Sequence, residues 1–265
     1  MLKIEHLSKT FNSGSVNEKH ALNDLSLTLH DGEFVTVIGG NGAGKSTLLN
    51  AIAGVWPIDQ GHIYIDDEEI TNMPDYKRAA YLGRVFQDPM LGTAADMQIE
   101  ENLALAARRG KKRGLKWQIS EAERKDFRKQ LSQLHLGLEE RMTTKVGLLS
   151  GGQRQSITLL MATLQKPKLL LLDEHTAALD PKTAELVLDL TDQVVNQNNI
   201  TTLMITHNMH DAIRHGNRLI MMDGGRIIYE ASGEEKKKLT VEDLLKKFNE
   251  ISGEEMSDDA VVLQK

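Results

Sequence analysis

Phe34-Val-Thr-Val-Ile38-Gly39-Gly-Asn-Gly-Ala-Gly44-Lys45-Ser46 decides how the rest of the chain is read. A short apolar strand runs straight into a glycine-rich turn, and the turn runs into a helical pattern carried by Leu48, Leu49, Ile52 and Ala53. The spacing Gly39 to Ser46 fits G-x-x-x-x-G-K-[ST], with the strand before it and the helix after it that its mechanism needs. Glycines let the backbone curl so that N–H groups face a phosphate chain, and the opening helix adds its partial positive end. Lys45 is then set to reach the β- and γ-phosphates, and the Ser46 hydroxyl to ligate Mg²⁺. A glycine-rich turn with an incidental lysine leaves the flanking strand and helix unexplained.

On either side of this loop the chain alternates strand and helix signals. Apolar positions recur at every second residue at Leu2 and Ile4 and at Leu25, Leu27 and Leu29, broken at Asn12-Ser-Gly-Ser and Asp31-Gly, which predicts three strands by Ile38. Further strands are expected at 62–65 and 81–86, followed by a polar, mostly helical stretch from about 99 to 136. Ser150 starts another helix. Residues 168–173 form a short strand, wholly apolar from Leu169 to Leu172 and ending in carboxylates, as one covered on both faces would be. A helix (183–196), a strand (201–206), a short helix (209–215) and a hairpin about Asp223-Gly-Gly complete the pattern. The expected fold is α/β, a mostly parallel sheet with helices on both faces and a helical insertion over about 88–165. The main domain is expected over 1–232, and 233–265 as a charged extension with one amphipathic helix and a frayed acidic end.

Composition narrows the function. At 265 residues and 29.6 kDa the chain can bury one substantial core with a smaller satellite. A formal charge of -6 and a pI near 5.9 give no global positive field for nucleic acid or anionic lipid. Cysteine is absent, which excludes disulfides and thiol chemistry. The start Met1-Leu-Lys-Ile-Glu-His lacks the apolar core of a signal peptide, so the mature chain is expected to begin at Met1. No run approaches the roughly 18–20 apolar residues of a membrane span, so a partner supplies any span that is needed.

Two further segments carry chemistry. Leu169-Leu-Leu-Leu172-Asp173-Glu174 delivers two carboxylates at the carboxyl end of a buried strand, where open α/β sheets bind ligands. Asp173 suits a metal held through water, and Glu174 suits polarising an attacking water. Leu149-Ser150-Gly151-Gly152-Gln153-Arg154-Gln155 begins with a capping box, Ser150 with Gln153, that can start a helix unaided. Two glycines in its first turn each weaken the helix by roughly 1 kcal/mol, a cost that makes sense where backbone amides must touch a ligand.

Leu149-Ser-Gly-Gly-Gln153 between a phosphate loop and an acidic strand end resembles the signature of the ABC-family ATPases, over about residues 2 to 230. The resemblance implies a P-loop NTPase core of RecA-like type, with an N-terminal antiparallel β subdomain and an inserted α-helical subdomain. It implies that ATP is held by Gly39, Gly40, Asn41, Gly42, Ala43, Gly44, Lys45, Ser46 and Thr47. Ser150, Gly151, Gly152 and Gln153 of a second copy would close over the γ-phosphate in a head-to-tail dimer. Phe11 matches the aromatic that stacks on adenine, and Gln87 the glutamine that contacts Mg²⁺ and senses the γ-phosphate. His207 matches the switch histidine. Asp180 matches a loop that crosses the dimer interface, while Asp180-Pro181 equally suits the start of a helix. The metal set is then Ser46, Gln87 and Asp173, and the catalytic set Glu174, His207, Lys45 and Gln87.

Most such relatives have proline where this chain has His175. It is either a tolerated loop substitution or a group that bonds near Glu174 and tunes the pH dependence of hydrolysis. Gly40 stands where proline is frequent, which bears on loop stiffness. The basic run Arg108-Arg-Gly-Lys-Lys-Arg-Gly-Leu-Lys-Trp117 is either a solvated loop or a contact with lipid headgroups or a membrane partner. The resemblance implies the ATP-hydrolysing subunit of a prokaryotic importer at the cytoplasmic face of the membrane. Its partners would be an integral permease and a solute-binding protein, and its solute of amino-acid type. The alternative is a soluble ABC-type ATPase in translation or DNA maintenance, which usually carries two cassettes or a long coiled coil.

Overall fold

A computed structural model describes residues 1–111 and 119–252. They fall into two compact units, one formed by Met1–Arg78 with the chain from Asn199 onward, the other by Ala79–Asn198.

In the first unit β1 (Leu2–Phe11) pairs antiparallel with β2 (Lys19–Leu29). Leu2, Ile4, Leu25, Leu27 and Leu29 are all buried, as the two-residue period requires. β3 (Phe34–Ile38) is buried along its whole length and leads into α1 (Lys45–Ala53). Gly54, at φ 78, stops that helix by donating its N–H to the Ala51 and Asn50 carbonyls. β4 (Gln60–Ile65) pairs antiparallel with β1 on the side away from β2, and the two-residue β5 (Glu68–Glu69) pairs with β4. This is the expected antiparallel β subdomain.

Sequence patterns gave no hint of α2 (Asp75–Arg78), which is held by one side chain rather than by periodicity. Arg78 is buried, and its Nη1 donates to the carbonyls of Ala51 and Ile52, each at 2.8 Å. Arg78 thus adds to the Gly54 cap at Ala51 and supplies a donor to Ile52, in the last turn of α1 where helical donors run out.

In the second unit β6 (Leu82–Val85) runs parallel to β7 (Leu169–Asp173). The intervening chain forms α3 (Ile99–Ala107), α4 (Glu121–Ser132) and α5 (Gly151–Thr163). Their apolar faces meet in one cluster that includes Ile99, Leu103, Phe127, Leu131, Ile157 and Leu160. Capping boxes start all three helices, at Gln98, Ser120 and Ser150. α6 (Pro181–Asn198) closes this unit.

The chain then returns to the first unit. β8 (Thr202–Ile205) lies parallel to β3, and so does β9 (Arg218–Asp223) on its other side. Asn208 caps the short α7 (Met209–Arg214) between them. β9 turns through Gly224 and Gly225, at φ 52 and 76, into antiparallel β10 (Arg226–Ser232), the hairpin read from Asp223-Gly-Gly. The charged extension is more ordered than its composition suggests. α8 (Gly233–Lys238) is pinned by buried Lys236, which donates to the His215 and Gly216 carbonyls. α9 (Val241–Ser252) buries Leu244 and Phe248 against Met209, Ala212 and Met221. The expected frayed end lies outside the described residues. Among the described residues no helix is long and apolar enough to cross a membrane.

Candidate functional site

The turn from β3 to α1 is made of glycine because two of its positions admit nothing larger. Gly39 stands at φ 150, and a Cβ there would lie 2.1 Å from the Met222 carbonyl oxygen. Gly44, at φ 99, opens α1, and a Cβ there would lie 2.4 Å from the Ala21 carbonyl oxygen. The loop is closed by the Ala43 N–H donating to the Gly40 carbonyl at 3.2 Å, and braced by the Gly225 N–H donating to the Ala43 carbonyl at 3.1 Å. Lys45 is buried, and its ammonium donates to the carbonyls of Gly39 at 2.6 Å and Gly40 at 3.0 Å. The charge is thus held inside the curl of the loop. Asn41, Gly42 and Ser46 face solvent, and Thr47 is half-buried.

His207 leaves the carboxyl end of β8, whose Ile205 lies opposite Val37 of β3. Phosphate loop and histidine therefore emerge at the same end of neighbouring parallel strands, where such sheets bind ligands. The Thr206 N–H donates to the Val37 carbonyl at 3.1 Å, and the Asn208 side chain accepts from the His210 N–H at 2.8 Å. These bonds fix the backbone on both sides of His207.

Phe11 ends β1 and meets Trp56 edge-on, with ring centroids 5.1 Å apart. The Lys9 ammonium stands 5.5 Å from the Phe11 ring centre. Asp59 anchors this corner by accepting from Lys9 Nζ at 2.9 Å and from the Thr10 N–H at 2.6 Å. Burial works to raise the Asp59 carboxyl, and those two bonds outweigh it, holding the group below its ordinary value.

In the second unit Asp173 ends β7 and Glu174 follows at φ 44, a left-handed conformation uncommon for a residue with a side chain. Arg84 was not singled out from sequence, yet its Nη2 stands 3.5 Å from an Asp173 carboxylate oxygen, and both side chains are under one-fifth exposed. Its guanidinium also lies 4.5 Å from the Phe86 ring centre. Burial pulls Arg84 below its ordinary range while Asp173 acts in the opposite sense. A lone charge in an otherwise apolar strand beside an Asp-Glu pair was the available signal. His175 is buried and its Nε2 lies 3.1 Å from the Thr191 hydroxyl oxygen. That hydroxyl donates to the Val187 carbonyl at 2.8 Å, so it accepts from the imidazole and Nε2 carries the proton.

Gln87 follows β6 and is exposed. Just before it, the Phe86 carbonyl accepts from Gln155 Nε2 at 3.1 Å, which ties the strand end to α5. At the start of α5 the predicted capping box is formed. The Ser150 hydroxyl accepts from the Gln153 N–H at 3.3 Å, and Gln153 Oε1 accepts from the Ser150 N–H at 3.2 Å. Arg154 holds the turn before it, donating to the Gly147 and Leu149 carbonyls at 3.0 and 3.1 Å. The two glycines are not alike. Gly151 is exposed, whereas Gly152 is buried with a Cβ position 2.1 Å from Thr183 Cγ2. Packing against α6 accounts for Gly152 without any ligand. Asp180 caps α6, accepting from the Thr183 N–H at 3.1 Å, and its bonds from Thr183 hold its carboxyl below the ordinary value.

Each unit thus gathers its own share of the expected residues. Phe11, the loop from Gly39 to Thr47 and His207 stand in the first; Gln87, Ser150 to Gln153, Asp173, Glu174 and Asp180 stand in the second. Of the basic run, Arg108 pairs with Glu123 at 3.0 Å and Arg109 donates to the Ala162 carbonyl at 2.9 Å. Residues 112–117 lie outside the described residues.

Comparison with known proteins follows the same motifs. A family model described as ABC transporter matches residues 22–177. The chain is 47% identical to a tyrosine transport ATP-binding protein of Clostridioides difficile, over 94% of this chain and 98% of that protein. It is 34% identical to the spermidine/putrescine import ATP-binding protein PotA of Haemophilus influenzae, of whose length it spans 59%. Among solved structures, a dimeric ATP-binding cassette in a post-hydrolysis state with ADP and phosphate bound superposes with a TM-score of 0.75 at 29% identity, covering 88% of this chain and 98% of the other. The ADP conformation of another cassette of an ABC transporter gives 0.77 at 29% identity, covering 96% and 99%. The chain belongs to the ABC transporter family, as one of its ATP-binding, ATP-hydrolysing cassettes.

Proposed function

We propose that the chain is the ATPase subunit of an importer for an amino-acid-type solute, seated at the cytoplasmic face of the membrane against a separate integral permease. The observation that carries this reading is the pairing of a complete phosphate loop with two strand-end carboxylates in a chain 47% identical, nearly end to end, to a tyrosine transport ATP-binding protein. A solute-binding protein in the same system would give the permease its selectivity.

In this reading the amides of Gly39 to Thr47 cradle the phosphates, Lys45 leaves the Gly39 and Gly40 carbonyls for the β- and γ-phosphates, and Phe11 stacks on adenine. Glu174 polarises the attacking water, and His207 and Gln87 meet the γ-phosphate. The Ser46 hydroxyl, the Gln87 amide and the Asp173 carboxylate are an oxygen-only donor set, the kind that Mg²⁺ takes alongside phosphates. Bound there, Mg²⁺ would neutralise charge on the β- and γ-phosphate oxygens. Ser150, Gly151, Gly152, Gln153 and Asp180 of one copy face the nucleotide of the other, so closing the dimer completes two sites. The surface from Gln87 to Leu103 would pass that motion to the permease. Steady-state hydrolysis tests the assignment: wild type turns ATP over and Glu174→Gln loses at least about a hundredfold in kcat, the typical worth of a general base. Equal rates in the two proteins would refute it.

A further inference from the structure

The structure carries a second lysine at the phosphate loop. Lys19 opens β2 and is the cross-strand partner of Phe11, the last residue of β1. From there its side chain reaches the loop, for a Cβ on Gly42 would lie 2.9 Å from Lys19 Nζ and 3.8 Å from Cε. One residue therefore spans from the ring expected to hold the base to the loop expected to hold the phosphates. Among the described residues Lys19 enters no hydrogen bond or ion pair, and it is exposed. The neighbouring carboxylate is engaged elsewhere. Glu18 accepts from the Gly14 N–H at 2.6 Å and stands 3.3 Å from His20 Nε2. Lys45, by contrast, is buried and bonded to two loop carbonyls.

We propose that Lys19 is a further nucleotide-binding residue, which takes the phosphate chain of a nucleoside di- or triphosphate on the base side of the loop. The proposal rests on the ATP site assigned to Gly39 to Thr47. A solvated lysine beside a curl of backbone N–H groups has no anion of its own protein to meet, whereas a phosphate chain running from Phe11 to Gly42 passes under its ammonium. A charge-assisted bond of this kind, partly exposed, is worth about tenfold in affinity. The left-handed φ of 81 at position 42 favours glycine, and the absence of a side chain there leaves the ammonium its place beside the loop.

Calorimetric titration of the full chain with ATP and with ADP tests this in wild type, Lys19→Met, Lys19→Arg and Lys19→Glu. Lys19→Met is expected to weaken both nucleotides about tenfold, Lys19→Glu further still, and Lys19→Arg to stay within about threefold of wild type. The salt dependence of ATP binding should be shallower in Lys19→Met than in wild type. Equal affinities in wild type, Lys19→Met and Lys19→Glu would overturn the proposal while leaving the ATP site standing. Absence of ATP binding by wild type itself would instead overturn the site.

Discussion

Replacing Gly152 by alanine separates two reasons for a glycine in the signature turn. The added Cβ would stand 2.1 Å from Thr183 Cγ2, against 3.6 Å from Thr183 Cβ and 4.0 Å from its hydroxyl oxygen. Ordinary carbon contacts begin near 3.5 Å, so the methyl must swing away or α5 and α6 must part. Overpacking of this size costs about 1–3 kcal/mol, while alanine in place of glycine returns about 1 kcal/mol of helix propensity. The net loss is at most about 2 kcal/mol, which lowers Tm by up to a few degrees in a chain of this size. Thr183→Ser removes only the clashing atom and keeps the hydroxyl that bonds Asp180. Differential scanning calorimetry should therefore show Gly152→Ala destabilised and Gly152→Ala/Thr183→Ser restored. Gly151→Ala, whose Cβ meets only the tip of Leu179 at 3.2 Å, keeps that propensity gain and should melt at or slightly above the wild type. A Gly152→Ala protein as stable as Gly151→Ala, or one that Thr183→Ser does not stabilise, would refute the packing account.

Three further outcomes follow from single contacts. Arg84 and Asp173, 3.5 Å apart and little exposed, attract by about 5 kcal/mol at an effective dielectric of about 20; if Mg²⁺ must displace a third of that, Arg84→Met raises nucleotide-dependent Mg²⁺ affinity by at least about tenfold. Weaker or unchanged Mg²⁺ affinity in a fluorescence titration would contradict this. His175→Ala leaves the buried Thr191 hydroxyl without its donor, so urea unfolding should show a loss of about 1–3 kcal/mol, with His175→Asn losing less. Asp59 is held below its ordinary value, so its contribution is present above the unfolded carboxylate range near pH 4 and is lost as pH falls through the depressed folded value. Urea midpoints of wild type should thus converge on those of Asp59→Asn below about pH 4; a constant gap would argue against the Lys9 and Thr10 anchor.

Local chemistry was legible in the sequence wherever one short stretch carried the whole reason. The lysine that opens α1 after a glycine-rich turn, the Ser150–Gln153 capping box and the Asp223-Gly-Gly hairpin are of this kind. Reasons that lie far along the chain were not legible. Thr183 explains Gly152 from thirty-one residues away, and Arg84 meets Asp173 only through the register of two parallel strands. Gly233–Lys238 reads as a charged run because the carbonyls that hold Lys236 belong to another turn. The contact of His175 with Thr191 on α6, sixteen residues along the chain, was likewise not legible.

The central claim is that one chain carries two half-sites that ATP brings together. Light scattering of Glu174→Gln with and without Mg-ATP tests it most directly. The account predicts a particle of one chain mass, 29.6 kDa, without nucleotide and of twice that mass with it, and no such shift in Glu174→Gln/Lys45→Met. A Glu174→Gln protein that binds ATP and remains at one chain mass would contradict it.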